Sequence, residues 1–87
     1  MNQIIKKLLN KNISISVAES CTGGQLCKFF TDNPGVSKIF NLGIVTYSNQ
    51  SKKKLLNIND NILKKHGSVS KKVAYLMSYN LFKISKS

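Results

Sequence analysis

Two segments of this chain can be strands, and two strands do not make a stable sheet. Ile13, Ile15 and Val17 alternate with Ser14, Ser16 and Ala18, a period of two whose second face is small enough for a helix to pack close. Leu42, Ile44 and Val45 with Thr46 form a second apolar run, which predicts a strand from about 41 to 47 with Gly43 lending a permissive backbone. A parallel pair of this kind needs cover on both faces and along its edges. Either a partner supplies further strands, or the chain is part of a larger domain. At 87 residues, a chain buries only ~60–65% of its unfolded surface, so the core is thin. The expected class is α/β, with residues 1–87 forming a single partial three-layer domain of two strands and about five helices.

The helical segments are read from their period and punctuation. Ile4, Ile5, Leu8 and Leu9 share one face near residues 3–10, with Lys6, Lys7 and Asn10 opposite. The first strand runs directly into Glu19-Ser20-Cys21-Thr22-Gly23-Gly24, and a helical pattern resumes from Gln25 to Phe30. Thr31 to Gly35 reads as a turn around Pro34. Asn49 is the expected cap of a helix through 50–56, and Asn59 or Asp60 starts a short helix that ends with Lys64, Lys65 and His66 before Gly67. Ser68 or Ser70 is expected to cap a last helix with Val73, Ala74, Met77, Leu81 and Ile84 as its apolar stripe.

Charge narrows the function classes. Fourteen basic residues against three acidic give a net charge of +11, enough to draw in nucleic acid through long-range field alone. Every basic residue is lysine, however, and lysine lacks the planar fork that reads guanine or clamps phosphate. Only weak, non-specific nucleic-acid binding is expected. Cys21 and Cys27 stand six apart, a rotation of about 240° on a helix, and with His66 distant no zinc spacing exists. Both cysteines read as small buried fillers in a reducing compartment, and neither a metal nor a cofactor is expected. No apolar stretch of about eighteen residues occurs, and Lys6 and Lys7 fall where a signal peptide is apolar. A cytoplasmic location without membrane contact is the expectation.

Read on its own, Glu19 to Gly24 is a strand-end serine followed by glycines that open a helix, which suits a structural turn or a site where a ligand approaches backbone N–H groups. Val45-Thr46-Tyr47-Ser48-Asn49 followed by Lys52 ends the other strand in polar groups. Adjacent parallel strands put both clusters on one carboxyl-end rim, the usual ligand crevice of an α/β sheet. Lys52 within a lysine triplet also fits a solvated helix face, and Tyr47 a packing residue at a strand end.

In order and spacing, Ser16-Val-Ala-Glu-Ser-Cys-Thr-Gly-Gly24, Thr31-Asp32, Pro34-Gly35, Gly43-Ile-Val-Thr-Tyr-Ser-Asn49, Lys52 and His66-Gly-Ser-Val-Ser70 resemble the first half of the CinA C-terminal domain family. That family is also known as nicotinamide mononucleotide deamidase. The resemblance implies hydrolysis of the carboxamide of nicotinamide mononucleotide to nicotinate mononucleotide and ammonia, without metal or cofactor. It implies Ser20 as nucleophile, assisted by Tyr47 and Lys52, with Ser37 as a further serine of the site. Thr22, Gly23, Gly24 and Asn49 are the accompanying substrate-binding positions, the N–H groups of Thr22 to Gly24 being candidates for an oxyanion hole or a phosphate seat. A serine hydroxyl needs a base, and a lysine serves only where burial or neighbouring positive charge favours the neutral amine.

The family domain is about twice as long, and its second half brings further strands, a turn of the form TGIAGPGG and an arginine of the site, so the resemblance implies a domain truncated relative to the family. Lys71-Lys72 and Gln50 stand where acidic residues are usual. Three readings follow. The chain is one half of an amidohydrolase completed by a complementary CinA-like chain or by self-association, or a non-catalytic remnant, or a small basic module for an acidic partner. The isolated chain is expected to be inactive and marginally stable.

Overall fold

The computed structural model describes residues 2–87. In chain order these form α1 (Gln3–Asn10), β1 (Ile15–Glu19), α2 (Gln25–Thr31), a 3-10 turn (Val36–Lys38), β2 (Phe40–Val45), α3 (Asn49–Leu56), α4 (Asp60–His66) and α5 (Lys71–Ser85). The α/β class with two parallel strands and five α-helices is the one expected from the sequence.

The start of β1 differs from the expected one for a local reason. Asn2 caps α1 by accepting from the amides of Ile4 and Ile5, and the helix leaves through Asn12 in the left-handed region, at φ 53°. The Ile13 amide is then used to close the helix end on the Leu8 carbonyl at 3.0 Å. Ile13 therefore stays exposed, and pairing begins at Ile15.

Val17 faces α1, α2 and the 3-10 turn, in a cluster with Ile5, Phe30, Val36 and Ile39. The small side of β1 faces the other way, where Ala18, Leu42 and Ile44 pack on a cluster built by Leu56, Ile58, Leu63, Val73, Met77 and Leu81. Two cores on opposite faces of one sheet make the three layers. The register pairs Ile15 with Phe40 but Ser16 with Leu42, so Asn41 is an extra residue in β2. A bulge of one residue reverses the alternation, which puts the Phe40 ring with Phe30 although Leu42 and Ile44 face α5.

Several local expectations are corrected. Ser48, not Asn49, caps α3, because its hydroxyl and that of Ser51 bond each other's amides in a capping box; Asn49 is the first helical residue. Of the two serines offered for α5, Ser70 is the cap. Ile84 is exposed at the far end of α5, where the second core has ended, and Ala74 is exposed beside a cleft. Cys21 lies exposed on the turn after β1 and is no core filler, whereas Cys27 is half-buried. Gly43 serves by lacking a side chain rather than by its φ, since Cys27 of α2 sits against it. Among the described residues no helix is long and apolar enough to cross a membrane, and no group of three metal-ligating side chains gathers.

Candidate active site

The turn after β1 is held by backbone conformation and one buried carboxylate. Gly23 and Gly24 take φ of 61° and 110°, values that L side chains rarely adopt, so the chain reverses here without strain. The amides of Leu26 and Cys27 then point back at Glu19, whose side chain is only 3% exposed. Its Oε1 accepts from Gly24 at 3.2 Å and Leu26 at 2.8 Å, and its Oε2 accepts from Cys27 at 2.9 Å. Burial pushes the Glu19 carboxyl up, but hydrogen bonds from the Cys27 thiol and amide, the Leu26 amide and the Thr22 side chain outweigh it and hold it down at about 2. The Cys27 thiol is pushed up to about 11, first by burial and then by the Glu19 hydrogen bond and charge, so it stays protonated. Glu19 is a positioning residue that sequence reasoning did not single out. The available signal was an acid on the last strand residue, ahead of a glycine turn and a helix start.

Lys52 converges on the same turn from the other strand. It lies one turn into α3, directly after the rim of β2, and is 1% exposed. Its Nζ donates to Ser20 Oγ at 2.8 Å, to the Thr46 carbonyl at 3.0 Å and to the Tyr47 carbonyl at 3.4 Å. The chain's three carboxylates are engaged elsewhere: Asp32 with Lys28, Asp60 with Lys53, and Glu19 with the α2 amides. The Lys52 ammonium is thus surrounded by neutral oxygens only. Its three hydrogens find three acceptors. Lys53 and Lys54 are exposed, so the triplet divides into one buried lysine and two solvated ones.

The other expected positions are distributed unevenly. Thr22 lies exposed on the turn and Asn49 exposed at the start of α3, both at the carboxyl-end rim. Tyr47 also lies at this rim, but only its carbonyl touches Lys52; the ring is 73% exposed. The Gly23 amide donates to the Ser20 carbonyl and the Gly24 amide to Glu19, so neither is free for an anion. Among the described residues of the turn, the amides of Ser20, Cys21 and Thr22 donate to no protein acceptor. Ser37 lies on the 3-10 turn that precedes β2, at the amino end of the sheet, and the structure does not bring it to Ser20 and Lys52. A cleft of about 520 Å³ opens at Ser20, Cys21 and Thr22, is bordered by Ser68 to Ser70, and runs down β1 as far as Ile15.

Comparison with known proteins matches this arrangement. The family model of the CinA C-terminal domain matches residues 1–87. A competence-damage inducible protein of Caldanaerobacter subterraneus subsp. tengcongensis is 49% identical over all of this chain, which spans 21% of that protein. The corresponding protein of Thermoanaerobacter pseudethanolicus is 43% identical with the same coverage. The chain thus spans about a fifth of the length of these curated relatives. Among solved structures, the competence/damage inducible protein CihA of Agrobacterium tumefaciens superposes with a TM-score of 0.92 at 32% identity, over 98% of this chain and 52% of that one. A CinA superfamily protein of Escherichia coli superposes at 0.91 and 28% identity, over 97% of this chain and 49% of its own. With the family model matched from end to end and the fold reproduced, this chain belongs to the CinA C-terminal domain family.

Proposed function

We propose that this chain carries the nucleophile and base of an amidohydrolase that removes the carboxamide nitrogen of nicotinamide mononucleotide. The observation that supports it is the 2.8 Å contact between Ser20 Oγ and the buried Nζ of Lys52. Neutral Lys52 takes the hydroxyl proton as Ser20 Oγ attacks the carboxamide carbon, giving a tetrahedral adduct whose oxyanion faces the Cys21 and Thr22 amides. The C–N bond then breaks, and the nitrogen leaves as ammonia with the proton that Lys52 returns. Water attacks the resulting ester, Lys52 accepts its proton, and nicotinate mononucleotide departs as Ser20 recovers its hydrogen. Tyr47 presents its phenol from the rim, free to meet the substrate ring or donate to the developing charge. No water or second residue needs to relay between base and nucleophile.

The relatives' domain extends well beyond the part this chain spans, and the proposed site is completed by a polypeptide corresponding to the remainder. The test is release of ammonia and nicotinate mononucleotide from nicotinamide mononucleotide by the chain alone and by the chain in complex with that remainder. We expect turnover only from the complex and none after Ser20→Ala. An assembled complex that releases no ammonia, or one in which Ser20→Ala is fully active, overturns the reading.

A further inference from the structure

α5 carries two apolar seams. Val73, Met77 and Leu81 face the sheet and are buried in the second core. Tyr75, Tyr79 and Phe82 lie on the other side of the helix and are 61%, 47% and 54% exposed. With Lys72 ahead of them their spacing is three, four, three, the repeat by which one helix meshes with another. This second seam looks out of the outermost layer, away from the sheet, so strands added to the sheet lie beneath α5 rather than on it. The seam is also ordered. The Tyr75 and Tyr79 rings stack at 5.8 Å with 7° between their planes, and Lys83 Nζ stands 4.9 Å from the centre of the Tyr79 ring. Tyr75 comes one turn before Tyr79 and Lys83 one turn after, so both faces of the Tyr79 ring are covered.

Charge and shape select the occupant. α5 contains no acidic residue, and among the described residues Lys71, Lys72 and Lys83 flank the seam without a carboxylate partner. Whatever covers the seam must bring carboxylates of its own. A second copy of this chain would set lysine against lysine. An extended strand finds no free backbone groups along the middle of a helix. A nucleic-acid strand needs open aromatic faces, and the Tyr79 ring has none. An acidic helix meets every requirement, because its own seam interlocks with Tyr75, Tyr79 and Phe82 and its flanks carry the carboxylates.

We propose that the outer face of α5 docks an acidic amphipathic helix of another protein, its apolar residues against Tyr75, Tyr79 and Phe82 and its carboxylates beside Lys71, Lys72 and Lys83. From Lys72 to Phe82 the seam runs about 15 Å, so about two heptads of the partner span it. Docking at this face requires nothing of the Ser20 and Lys52 pair.

The test is titration of the isotope-labelled chain with a synthetic helical peptide of about eighteen residues, leucine at its seam positions and glutamate on both flanks. Saturable binding is expected, with the largest amide shifts at Tyr75, Tyr79, Phe82 and Lys83. Tyr79→Ala and Phe82→Ala, both at exposed positions, should each weaken binding about tenfold or more, as loss of a central aromatic anchor does. Lys71→Glu, Lys72→Glu and Lys83→Glu together should abolish binding of this peptide and create binding of one with lysine on its flanks, an exchange that an unfolded variant cannot give. Leu26→Lys, on the α2 wall of the cleft, should leave affinity within about twofold. Absence of saturable binding, equal binding of a scrambled peptide, equal binding of the lysine-flanked peptide by the native chain, or shifts centred on Ala18 and Leu26 of the cleft each overturn the proposal. Tighter binding of a single-stranded thymidine oligonucleotide at the same residues overturns it in favour of nucleic acid, and a dimer of the chain alone that Phe82→Ala breaks overturns it in favour of a second copy. None of these readouts depends on amidase activity.

Discussion

A methyl group on Gly43 would lie 2.5 Å from Cys27 Sγ and 3.0 Å from the tip of the Phe40 ring, so β2 and α2 meet at hydrogen-for-sulfur distance. We expect Gly43→Ala to destabilise by about 1–3 kcal/mol, the range for overpacking a close contact. Adding Cys27→Ala should recover part of the loss, leaving a coupling energy that urea unfolding of the two single variants and the double variant reads directly. Independent, additive costs would mean that the sulfur is not what limits the approach.

Glu19 should confer an acid limit. Its carboxyl sits at about 2 against an ordinary value of 4.5, so its contribution is present above about 4.5 and is lost as pH falls through 2. The difference in unfolding stability between the native chain and Glu19→Gln should therefore be constant near neutrality and shrink across that acid window. A difference that instead grows on acidification would contradict the hydrogen-bond assignment.

Lys52 and Lys53 are adjacent in sequence but opposite in environment, one buried on Ser20 and the other exposed on Asp60. On the proposed amidohydrolase reading, Lys52→Met should lower kcat by about a thousandfold or more, as removing one member of a nucleophile and base pair does. Lys53→Met should leave kcat within about twofold, because an exposed ion pair contributes about 0–1 kcal/mol. Equal losses in both variants would show that the buried contact is not catalytic.

Nucleic-acid association should be governed by charge alone. With +11 supplied by lysine, labelled duplex and single strands should bind at low ionic strength, show no sequence preference, and dissociate as salt rises. Tight, selective binding at physiological salt would point to a base-reading surface instead.

Lys71 and Lys72 open α5 next to its Ser70 cap, where the helix dipole disfavours cations. Replacing both by glutamate should raise the unfolding free energy by about 1 kcal/mol, measured in denaturant at low salt, and the gain should fade as salt is added. A loss of stability would indicate that these lysines face an anion in the folded state.

Most elements were legible because their residues repeat at the expected period and carry their own stops, such as Asn59 and Gly67 around α4. Placements that depend on distant contacts were not. Lys52 has the local pattern of a solvated face, and only the return of β1 beside β2 buries it. The role of Glu19 arises once α2 folds back over the end of β1, a geometry set by two left-handed glycines. Asn41 reads as an ordinary strand residue, and its bulge appears only in the pairing. Ser37 matched the family's spacing, yet the 3-10 turn carries it to the opposite end of the sheet.

The pairing of Glu19 with Val45 has a meaning beyond holding two strands together. Lys52 is tied to Thr46 and Tyr47, six and five positions away on its own stretch of chain, whereas Ser20 lies 32 positions distant and is fixed only through β1. The ladder is therefore the ruler between the Ser20 hydroxyl and the Lys52 amine. Sliding β1 by one residue would move Ser20 about 3.3 Å along the rim and turn its side chain to the other face, so a single slipped pairing would leave both strands formed and the Ser20–Lys52 contact broken. The bulge at Asn41 falls at the far end of the pairing, which leaves the last four rungs unbroken up to the rim where that distance is set.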